Sequence, residues 1–522
     1  MTQQICRELL CLEHTVTFQT ADSDDTMRSA FVKHKPNLII CPMLLKPILK
    51  DIYTKVKCLI VHPGIKGDRG PSSLDWAIIN KREEWGITIF EADEEIDAGA
   101  IWASENFLVP KVITKTHLYN SHVINIAFKL VLEYVKKFQI EDFKPEPLNY
   151  SNASVKGQLH KTIKKTHSIR QVNWKTDATK IILRKINMTD SQPGVKAEID
   201  LNGHKITRLL YGAHNEKKLN KDLTFCPGRI LAKRDDAICI VTKDSALWVS
   251  QLRSLKSKIK LYTFKLPAII QLGEISKNIR NIPEINNKQI LITPITDNFQ
   301  KINIELFGSY GILHFDFYNG AMSTLQCERL LKAIKQCQKM PIKGLILAEG
   351  WKNIKAINEE VKEIIKLTNI LTVSAVRANA GAVNMGLYGS ELHTYTAPKR
   401  IDMCRLIQFK DSAKPILAIE AIEIGLFDNI EQQVRINFEQ GFIDNVKEFM
   451  KAFISDNAKF MKFIKHKQDI YKQDESKKLL DEYEKDELEE MHKDLFDRNN
   501  FHEKRWAFVT KSSFTPLTLT KK

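Results

Sequence analysis

Short apolar runs alternate with helix-like stretches in the first hundred residues. The runs NLII (37–40), CLIVH (58–62) and ITIF (87–90) are each followed closely by Pro, Gly or Asp. This rhythm is typical of βαβ units and predicts a parallel sheet. Ligands bind outside the carboxyl ends of the strands in such sheets, and His62 and Asp97 follow two of the predicted strands.

A long helix and a β-rich segment are predicted next. Apolar residues recur every three or four positions over 115–140, as on one face of a helix, and PEPLNYSN (145–152) breaks the pattern. Short alternating runs follow between 171 and 285, including ILRKI (182–186), KAEIDL, ICIVTK and ALWVSQL. Gly- and Pro-containing turns separate these runs, so we expect a small β-rich domain.

The pattern changes again from about residue 286. A strand-like run is followed by a helix at 323–339, the strand-like IKGLILAE at 342–349 and another helix. From Gln440 onward the chain is charge-rich, with Glu and Lys at helical spacings, which predicts solvated or subunit-contacting helices.

These patterns predict an α/β protein in four parts. We expect a Rossmann-like domain, a small β-rich domain, an α/β domain and a helical C-terminal extension. Their predicted bounds are 1–150, 151–285, 286–440 and 441–522.

Composition narrows the class of protein. With 522 residues and 43% hydrophobic content, the chain can form two or three domains. No apolar run approaches the roughly 20 residues of a membrane helix, and MTQQICREL lacks a signal-peptide core, so we expect a cytoplasmic protein without a membrane partner. Nine scattered cysteines without a C-x-x-C pair predict neither disulfides nor a metal site.

The net charge of +16 has two interpretations. It could attract nucleic acid or anionic cofactors, but the Lys excess is spread along the chain, and we favour a solvated surface without a nucleic-acid partner. The basic run KGQLHKTIKKTHSIR (156–170) lies where a linker is expected, and could either extend by self-repulsion or bind a ligand.

Two motifs carry candidate chemistry. In CLIVHPGIKGDRGPSSLDWAI (58–78), a buried strand delivers His62 onto a Gly-rich loop that a ligand could approach closely. The second motif, EADEEIDAGAIW (91–102), contains Asp97 in a D-A-G turn. By spacing alone, the first motif favours a strand-end histidine with ordinary turn glycines, and an isolated D-A-G is a common turn.

Together the motifs resemble the formyl-tetrahydrofolate-dependent transferases, whose catalytic set is Asn, His and Asp in N-x-H-P-S and D-x-G contexts. His62 and Asp97 match two of the three, whereas Ile60 replaces the Asn. The loop GIKGDRGPSS departs from the S-L-L-P type and is similar to that of the HoxX family of hydrogenase maturation factors. VNWKTD (172–177) and CPGRILAKRDDAICIVTKDSALWVSQLR (226–253) resemble the C-terminal domain of these transferases.

The resemblance implies a formyl-tetrahydrofolate site in the front half. His62 would act as the acid–base group, held by Asp97. The loss of the Asn would remove an oxyanion donor, which costs on the order of 3 kcal/mol in comparable sites. The residues implied in cofactor binding are Ile60, Gly64, Arg69, Gly70, Pro71, Ser72 and Ser73.

The back half resembles the crotonase-like (enoyl-CoA hydratase/isomerase) domain of the same family, which binds coenzyme A. The matching segments include FDFYNGAMS, ANAGA and MGLYGSE. Tyr388 and Glu391 would be the polar catalytic groups, and Gly381 would offer an oxyanion N–H, or else Tyr388 packs in the core and Glu391 lies at the surface. Three segments of the family pattern have no counterpart in this sequence: the first strand of the Rossmann-like formyltransferase domain, and two stretches of the crotonase-like domain, after Gly350 and after Ala382.

The family's implied function is formyl transfer to coenzyme A, then conversion of formyl-CoA to carbon monoxide for NiFe-hydrogenase maturation, with hydrogenase maturation proteins as possible partners. One alternative is a transferase for another acceptor, such as methionyl-tRNA or a sugar amine, with a non-catalytic back half. Another is a decayed protein that only binds folate or coenzyme A.

Overall fold

The computed structural model describes residues 1–44, 46–140, 142–164, 166–216, 226–255, 263–273, 279, 281–285, 299–315, 324–349, 358–375, 392–406, 422–425 and 440–496. They form two compact units. The first contains the described residues up to Ile285 together with Phe299, and the second contains nearly all of those from Gln300 onward. Among the described residues, every helix is too short or too polar to serve as a membrane span.

The first unit begins with a four-stranded sheet flanked by helices, in the order β1-β2-β3-β4. Its elements are α1 (Thr2–Cys11), α2 (Asp24–His34), β1 (Leu38–Cys41), α3 (Lys50–Tyr53), β2 (Lys57–His62), α4 (Ser73–Ile79), β3 (Glu84–Glu91), β4 (Ile101–Leu108), α5 (Lys115–Leu118) and α6 (Ile124–Phe138). The helix predicted over 115–140 is confirmed, with a π-helical turn joining α5 to α6.

The direction of the strands differs from the prediction. Only β1 and β2 pair in parallel, whereas β2 pairs antiparallel with β3, and β3 antiparallel with β4. The prediction of a parallel sheet was therefore wrong beyond the first pair. The physical reason is that apolar runs report burial on both faces of a strand and carry no information on its direction.

The core of this sheet explains its stability. The β3 side chains Trp85, Ile87 and Ile89 are almost fully buried, and they share one hydrophobic cluster with apolar residues of α6 such as Leu130 and Val131. Full burial of one such side chain contributes about 1.5–3 kcal/mol. β3 is thus a rigid support for the neighbouring strand β2.

The rest of the first unit is β-rich, as predicted. Its elements are α7 (Thr179–Asn187), β5 (Val195–Leu201), β6 (His204–Glu216), β7 (Ile230–Arg234), β8 (Ala237–Val241), β9 (Ala246–Arg253), β10 (Lys265–Pro267) and α8 (Ala268–Gly273). Strands β5 to β10 form an antiparallel sheet in the order β5-β6-β9-β8-β7, with β10 on β9. The run ILRKI, interpreted as strand-like, lies in α7, because Ile182 and Ile186 are buried four positions apart on one helix face.

The second unit also contains a four-stranded sheet, ordered β11-β12-β13-β14. The first pair is antiparallel and the next two pairs are parallel. Its elements are β11 (Ile302–Phe307), β12 (Tyr310–Phe315), α9 (Thr324–Gln338), β13 (Gly344–Glu349), α10 (Asn358–Ile365), β14 (Leu371–Ala375) and α11 (His393–Thr396). The helix and the strand predicted at 323–339 and 342–349 are confirmed.

Three helices end the described chain, in agreement with the helical pattern from Gln440. They are α12 (Gln440–Ser455), α13 (Asn457–Lys477) and α14 (Leu480–Phe496). Met450 and Ile454 of α12 and Phe460 of α13 share a buried cluster with β12 and β13. The apolar side of these helices therefore belongs to the core of the second unit.

Candidate functional site

His62 ends strand β2 in the interior of the first unit. Its Cα pairs with Thr88 of β3, and the residue is only 6% exposed. The imidazole lies 5.9 Å from the ring of Phe90, centroid to centroid. Backbone pairing and ring packing together restrict the orientation of this side chain.

The loop that follows His62 is anchored to β3 and to α4. The carbonyl of Pro63 accepts hydrogen bonds from Ser73 Oγ (2.6 Å) and Trp85 Nε1 (2.9 Å), and the carbonyl of Gly64 accepts one from Thr88 Oγ1 (2.8 Å). Three side-chain donors thus hold two consecutive carbonyls, so the loop leaves the strand along one defined path.

Asp68 is the nearest charged partner of His62. Its Oδ2 lies 2.8 Å from His62 Nε2, and its side chain is fully buried. The other oxygen, Oδ1, accepts no hydrogen bond from the described residues and lies 3.6 Å from His160 Nε2. Gly64 makes this contact possible, because a Cβ there would lie 2.4 Å from Asp68 Oδ2 and 2.6 Å from His62 Nε2.

Asp97 approaches the other side of the imidazole at a longer distance. Its Oδ2 lies 3.8 Å from His62 Nδ1 and accepts a 2.9 Å hydrogen bond from the backbone N–H of Gly70. Asp97 has a positive φ of 57°, a conformation that Asp tolerates better than most residues. Gly70, with φ of 108°, lies so close to the carbonyl of His160 that a side chain there would clash.

The basic run at 156–170 does not extend away from the fold. Backbone hydrogen bonds join it to the loop after β2: Gly157 N–H donates to Lys66, Arg69 N–H to the Gln158 carbonyl, and His160 N–H to Arg69. The ring of His160 stacks on Trp76 at 5.3 Å. Of the two interpretations of this run, extension by repulsion is wrong, and the segment forms a wall of the site.

A cleft of about 630 Å³ opens beside these groups. Its lining residues are Arg69, Gly70, Pro71, Trp76, Ile96, Leu159, His160, Lys161, Thr162, Lys164, Thr166 and His167. Three of them, Arg69, Lys161 and Lys164, are cationic, and Trp76 offers an apolar surface. The cleft is therefore suited to an anionic ligand with an aromatic part.

The residues implied in cofactor binding have different positions. Arg69 and Pro71 line the cleft with Gly70, and the Arg69 guanidinium donates to the Ile96 carbonyl and pairs with Glu95 at 2.8 Å. Partial burial lowers the pKa of Arg69, but hydrogen bonds with Glu95 and Tyr150 outweigh this effect and raise it above its ordinary value.

Two serines and one isoleucine of the same set serve the fold. Ser73 Oγ donates to Pro63, and Ser72 Oγ accepts from the backbone N–H of Ile163 at 3.2 Å. Neither serine lines the cleft, because both hydroxyls hold backbone groups. Ile60 is partly buried on β2 opposite Phe90, on the same face of the strand as His62.

The site residues predicted in the back half, Tyr388, Glu391 and Gly381, lie outside the described residues.

Two groups of the front site were missed by the sequence analysis, namely Asp68 and His160. Asp68 stands between Gly67 and Arg69 in the loop already singled out, so its position in a Gly-rich loop was an available signal. His160 gave none, because its approach depends on how the linker packs. Among the described residues, His, Cys, Asp and Glu form no group of three that could hold a metal ion.

Comparison with known families defines the class of the first unit. The formyl transferase family matches residues 6–125, and the formyl transferase C-terminal domain family matches residues 164–264. His62, Asp68 and Asp97 fall within the first match, and most of the antiparallel sheet falls within the second. The first unit therefore consists of the two domains of a formyltransferase.

Relatives extend the similarity to the whole chain. HypX from Aquifex aeolicus, in an alanine-substituted variant, is 32% identical, with 97% of each chain covered and a TM-score of 0.74. HypX from Aquifex aeolicus in complex with tetrahydrofolic acid is also 32% identical, covering 97% of this chain and 93% of that one, with a TM-score of 0.74. The hydrogenase maturation factor HoxX of Bradyrhizobium diazoefficiens is 29% identical, over 99% of this chain and 94% of its own length. The chain belongs to the HypX family, and it is similar to the hydrogenase maturation factor HoxX along nearly its whole length.

Proposed function

We propose that this protein transfers the formyl group of formyl-tetrahydrofolate, with His62 as the acid–base group. The single observation that carries the proposal is the burial of His62 between two carboxylates, one of which holds the backbone of Gly70 at the wall of a cleft that contains cations. General acid–base catalysis needs an oriented imidazole close to the reacting atoms. The match of this unit to formyltransferases and the folate complex of HypX support the choice of cofactor.

The residues of the cleft fit the cofactor. The cations Lys161 and Lys164 complement the carboxylates of a folate glutamate, and Trp76 can pack against an aromatic ring of the ligand. Pro71 and Gly70 add a wall without a bulky side chain. Formyl-tetrahydrofolate would supply the activated one-carbon group when bound there.

The chain's own residues can then move one proton. His62 takes a proton from the attacking nucleophile of the acceptor and donates it to the nitrogen that loses the formyl group, so that the imidazole ends as it began. Asp68 and Asp97 lie on opposite sides of the ring and face the positive charge that it carries between these two events. Ile60 offers no amide to the oxyanion, so this chain lacks a donor that other formyltransferases carry at that place.

The acceptor that we propose is the thiol of coenzyme A. Similarity to HypX and HoxX along nearly the whole chain favours this acceptor over methionyl-tRNA or a sugar amine, because those transferases share only the front half. The second unit would release carbon monoxide from formyl-CoA for hydrogenase maturation. Tyr388, Glu391 and Gly381 remain our candidates for that step.

The test uses the purified full-length protein with formyl-tetrahydrofolate, with and without coenzyme A. Free tetrahydrofolate, formyl-CoA and carbon monoxide trapped on a haem protein are measured. We expect His62→Ala to abolish tetrahydrofolate release, whereas His34→Ala, a substitution of an exposed histidine in α2, leaves it unchanged.

Each outcome distinguishes one part of the proposal. Unchanged release by His62→Ala would exclude His62 as the acid–base group. Tetrahydrofolate release that does not depend on coenzyme A would exclude it as the acceptor, and formyl-CoA without carbon monoxide would exclude the second step. If none of the three products forms, the proposed activity is excluded, and the alternative of a protein that only binds folate or coenzyme A is favoured.

A further inference from the structure

His62 has a carboxylate on each side, but the two carboxylates are not equivalent. Asp68 Oδ2 lies at hydrogen-bond distance from Nε2, 2.8 Å, whereas Asp97 Oδ2 lies 3.8 Å from Nδ1. The oxygen of Asp97 that faces the ring accepts the N–H of Gly70 at 2.9 Å and lies beyond hydrogen-bond distance from Nδ1. Only one of the two carboxylates therefore makes a direct hydrogen bond with the imidazole.

This asymmetry defines the tautomer of a neutral His62. A carboxylate accepts hydrogen bonds and cannot donate one, so Nε2 must carry the hydrogen that faces Asp68. Nδ1 is then the nitrogen with the free lone pair, and it faces the side of Asp97. The bond made by one ring nitrogen sets the role of the other.

Asp68 is built into the fold in a way that suits this task. Its side chain is fully buried, and its own N–H is fixed by the carbonyl of Ile65 at 2.8 Å. On either side of it, Lys66 and Arg69 pair with the docked linker through backbone hydrogen bonds. Backbone hydrogen bonds thus fix the point of the loop from which the carboxylate reaches the imidazole.

The second oxygen of Asp68 points to the same conclusion. Oδ1 lies 3.6 Å from His160 Nε2, beyond hydrogen-bond distance, and accepts nothing from the described residues. A buried carboxylate oxygen without a partner is costly and calls for a functional reason. Here the geometry directs Oδ2 at His62 and leaves Oδ1 facing the ring of His160, which borders the cleft.

We infer that Asp68 is the positioning residue of His62, and that Nδ1, on the Asp97 side, is the nitrogen offered to the reacting groups. Asp97 then holds the loop at Gly70 and lies on the side of the ring where the reacting groups would bind, and it does not orient the imidazole. The inference rests on the proposed function for its catalytic meaning, but the tautomer itself is a property of the protein without substrate. It replaces our sequence-based assignment of Asp97 as the residue that holds His62.

The first experiment measures the tautomer directly. ¹⁵N NMR of the histidine rings in the full-length protein distinguishes a protonated from an unprotonated ring nitrogen, and His62→Gln identifies the His62 signals by their loss. We expect hydrogen on Nε2 and a bare Nδ1. Hydrogen on Nδ1 in the unsubstituted protein would overturn the inference, whether or not formyl transfer is found.

The second experiment compares substitutions of the two carboxylates. Asp68→Asn should reduce the Nε2–H preference and lower kcat by about 10- to 100-fold with KM within about threefold, as expected for a lost charge-assisted hydrogen bond that orients a catalytic group. Asp97→Asn should keep the tautomer. Asp51→Asn, at an exposed ion pair with Arg28, is the matched control and should change neither quantity.

The outcomes separate a positioning role from a purely structural one. A merely structural Asp68 would leave the His62 tautomer and kcat unchanged in the folded fraction of Asp68→Asn, and that result would overturn the inference. If Asp68→Asn does not fold, Gly64→Ala takes its place, because a Cβ at Gly64 would separate Asp68 from His62 with both side chains retained. We expect it to weaken the Nε2–H preference and lower kcat, and an unchanged tautomer with unchanged kcat would overturn the inference. An unchanged tautomer in Asp68→Asn with a changed one in Asp97→Asn would assign the role to Asp97.

Discussion

Gly64→Ala should separate His62 from Asp68 without removing either side chain. A methyl group at position 64 would lie 2.4 Å from Asp68 Oδ2 and 2.6 Å from His62 Nε2. Ordinary contacts between such atoms need about 3.5 Å, so the carboxylate or the ring must retreat by about 1 Å. The hydrogen bond of 2.8 Å between them would then no longer form.

The expected magnitude follows from the nature of this bond. A hydrogen bond to a charged group contributes about 1.5–3 kcal/mol, which corresponds to a factor of about 10 to 150 in rate if the orientation of His62 is needed in the transition state. Gly64 does not have a positive φ, so alanine brings no backbone strain. Replacing Gly by Ala also restricts the unfolded chain, which offsets about 0.4–1 kcal/mol of the lost stability. We therefore expect a large loss of activity with a net fall in the free energy of unfolding of about 0.5–2.6 kcal/mol, which lowers Tm by several degrees.

The assay is the initial rate of tetrahydrofolate release, with Tm measured on the same preparation. Gly273→Ala is the matched control, because a Cβ at Gly273 meets no atom within 4 Å and the residue has no positive φ. We expect Gly64→Ala to lower kcat/KM by about 10- to 100-fold and Gly273→Ala to leave it unchanged. A Gly64→Ala protein with unchanged kcat/KM would refute the view that the contact between His62 and Asp68 serves catalysis.

Two further predictions concern the second unit. Burial lowers the pKa of Lys467 from 10.5 to about 8. Between these pH values the unfolded chain binds more protons than the folded chain, so the free energy of unfolding rises with pH, by up to about 3 kcal/mol. In urea unfolding followed by circular dichroism, Lys467→Met should lose this rise, whereas Lys465→Met, at an exposed lysine, should keep it. Glu487 is buried and accepts hydrogen bonds from the N–H groups of Leu392 and Thr394. Glu487→Gln should therefore lower the free energy of unfolding by about 1.5–3 kcal/mol at pH 7. An unchanged free energy of unfolding in the same assay would contradict this prediction.

The elements of the first unit were largely predictable because burial leaves a periodic trace in the sequence. The strand at CLIVH and the helix over 115–140 have the expected positions. Strand direction has no such trace, since a strand that is buried on both faces looks the same in either direction. The confusion of α7 with a strand has a related cause: ILRKI is too short to separate a period of two from a period of 3.6.

The candidate site was predictable only in part. His62 and Asp97 belong to motifs that resemble a known family, and the structure brings them within 3.8 Å of each other. The positions of Asp68 and His160 depend on tertiary contacts that no sequence pattern predicts. The loop after β2 must turn back on its own strand, and the linker must pack on that loop. Ser72 and Ser73 illustrate the opposite error, since hydroxyls in a ligand-binding loop also serve to hold the loop itself.

The approach of Asp97 to His62 has a different cause from the one that motivated its prediction. In a parallel sheet the carboxyl ends of neighbouring strands meet at one edge, but β3 runs antiparallel to β2, so its carboxyl end at Glu91 lies beside Leu59 instead of His62. The turn between β3 and β4 must therefore carry Asp97 back toward His62. Arg69 and the Gly70 N–H tie this turn to the loop after β2, through the Ile96 carbonyl and the Asp97 carboxylate. The position of Asp97 thus depends on bonds between two loops, which is a physical reason to expect that Asp97 primarily holds the loop while buried Asp68 holds the imidazole.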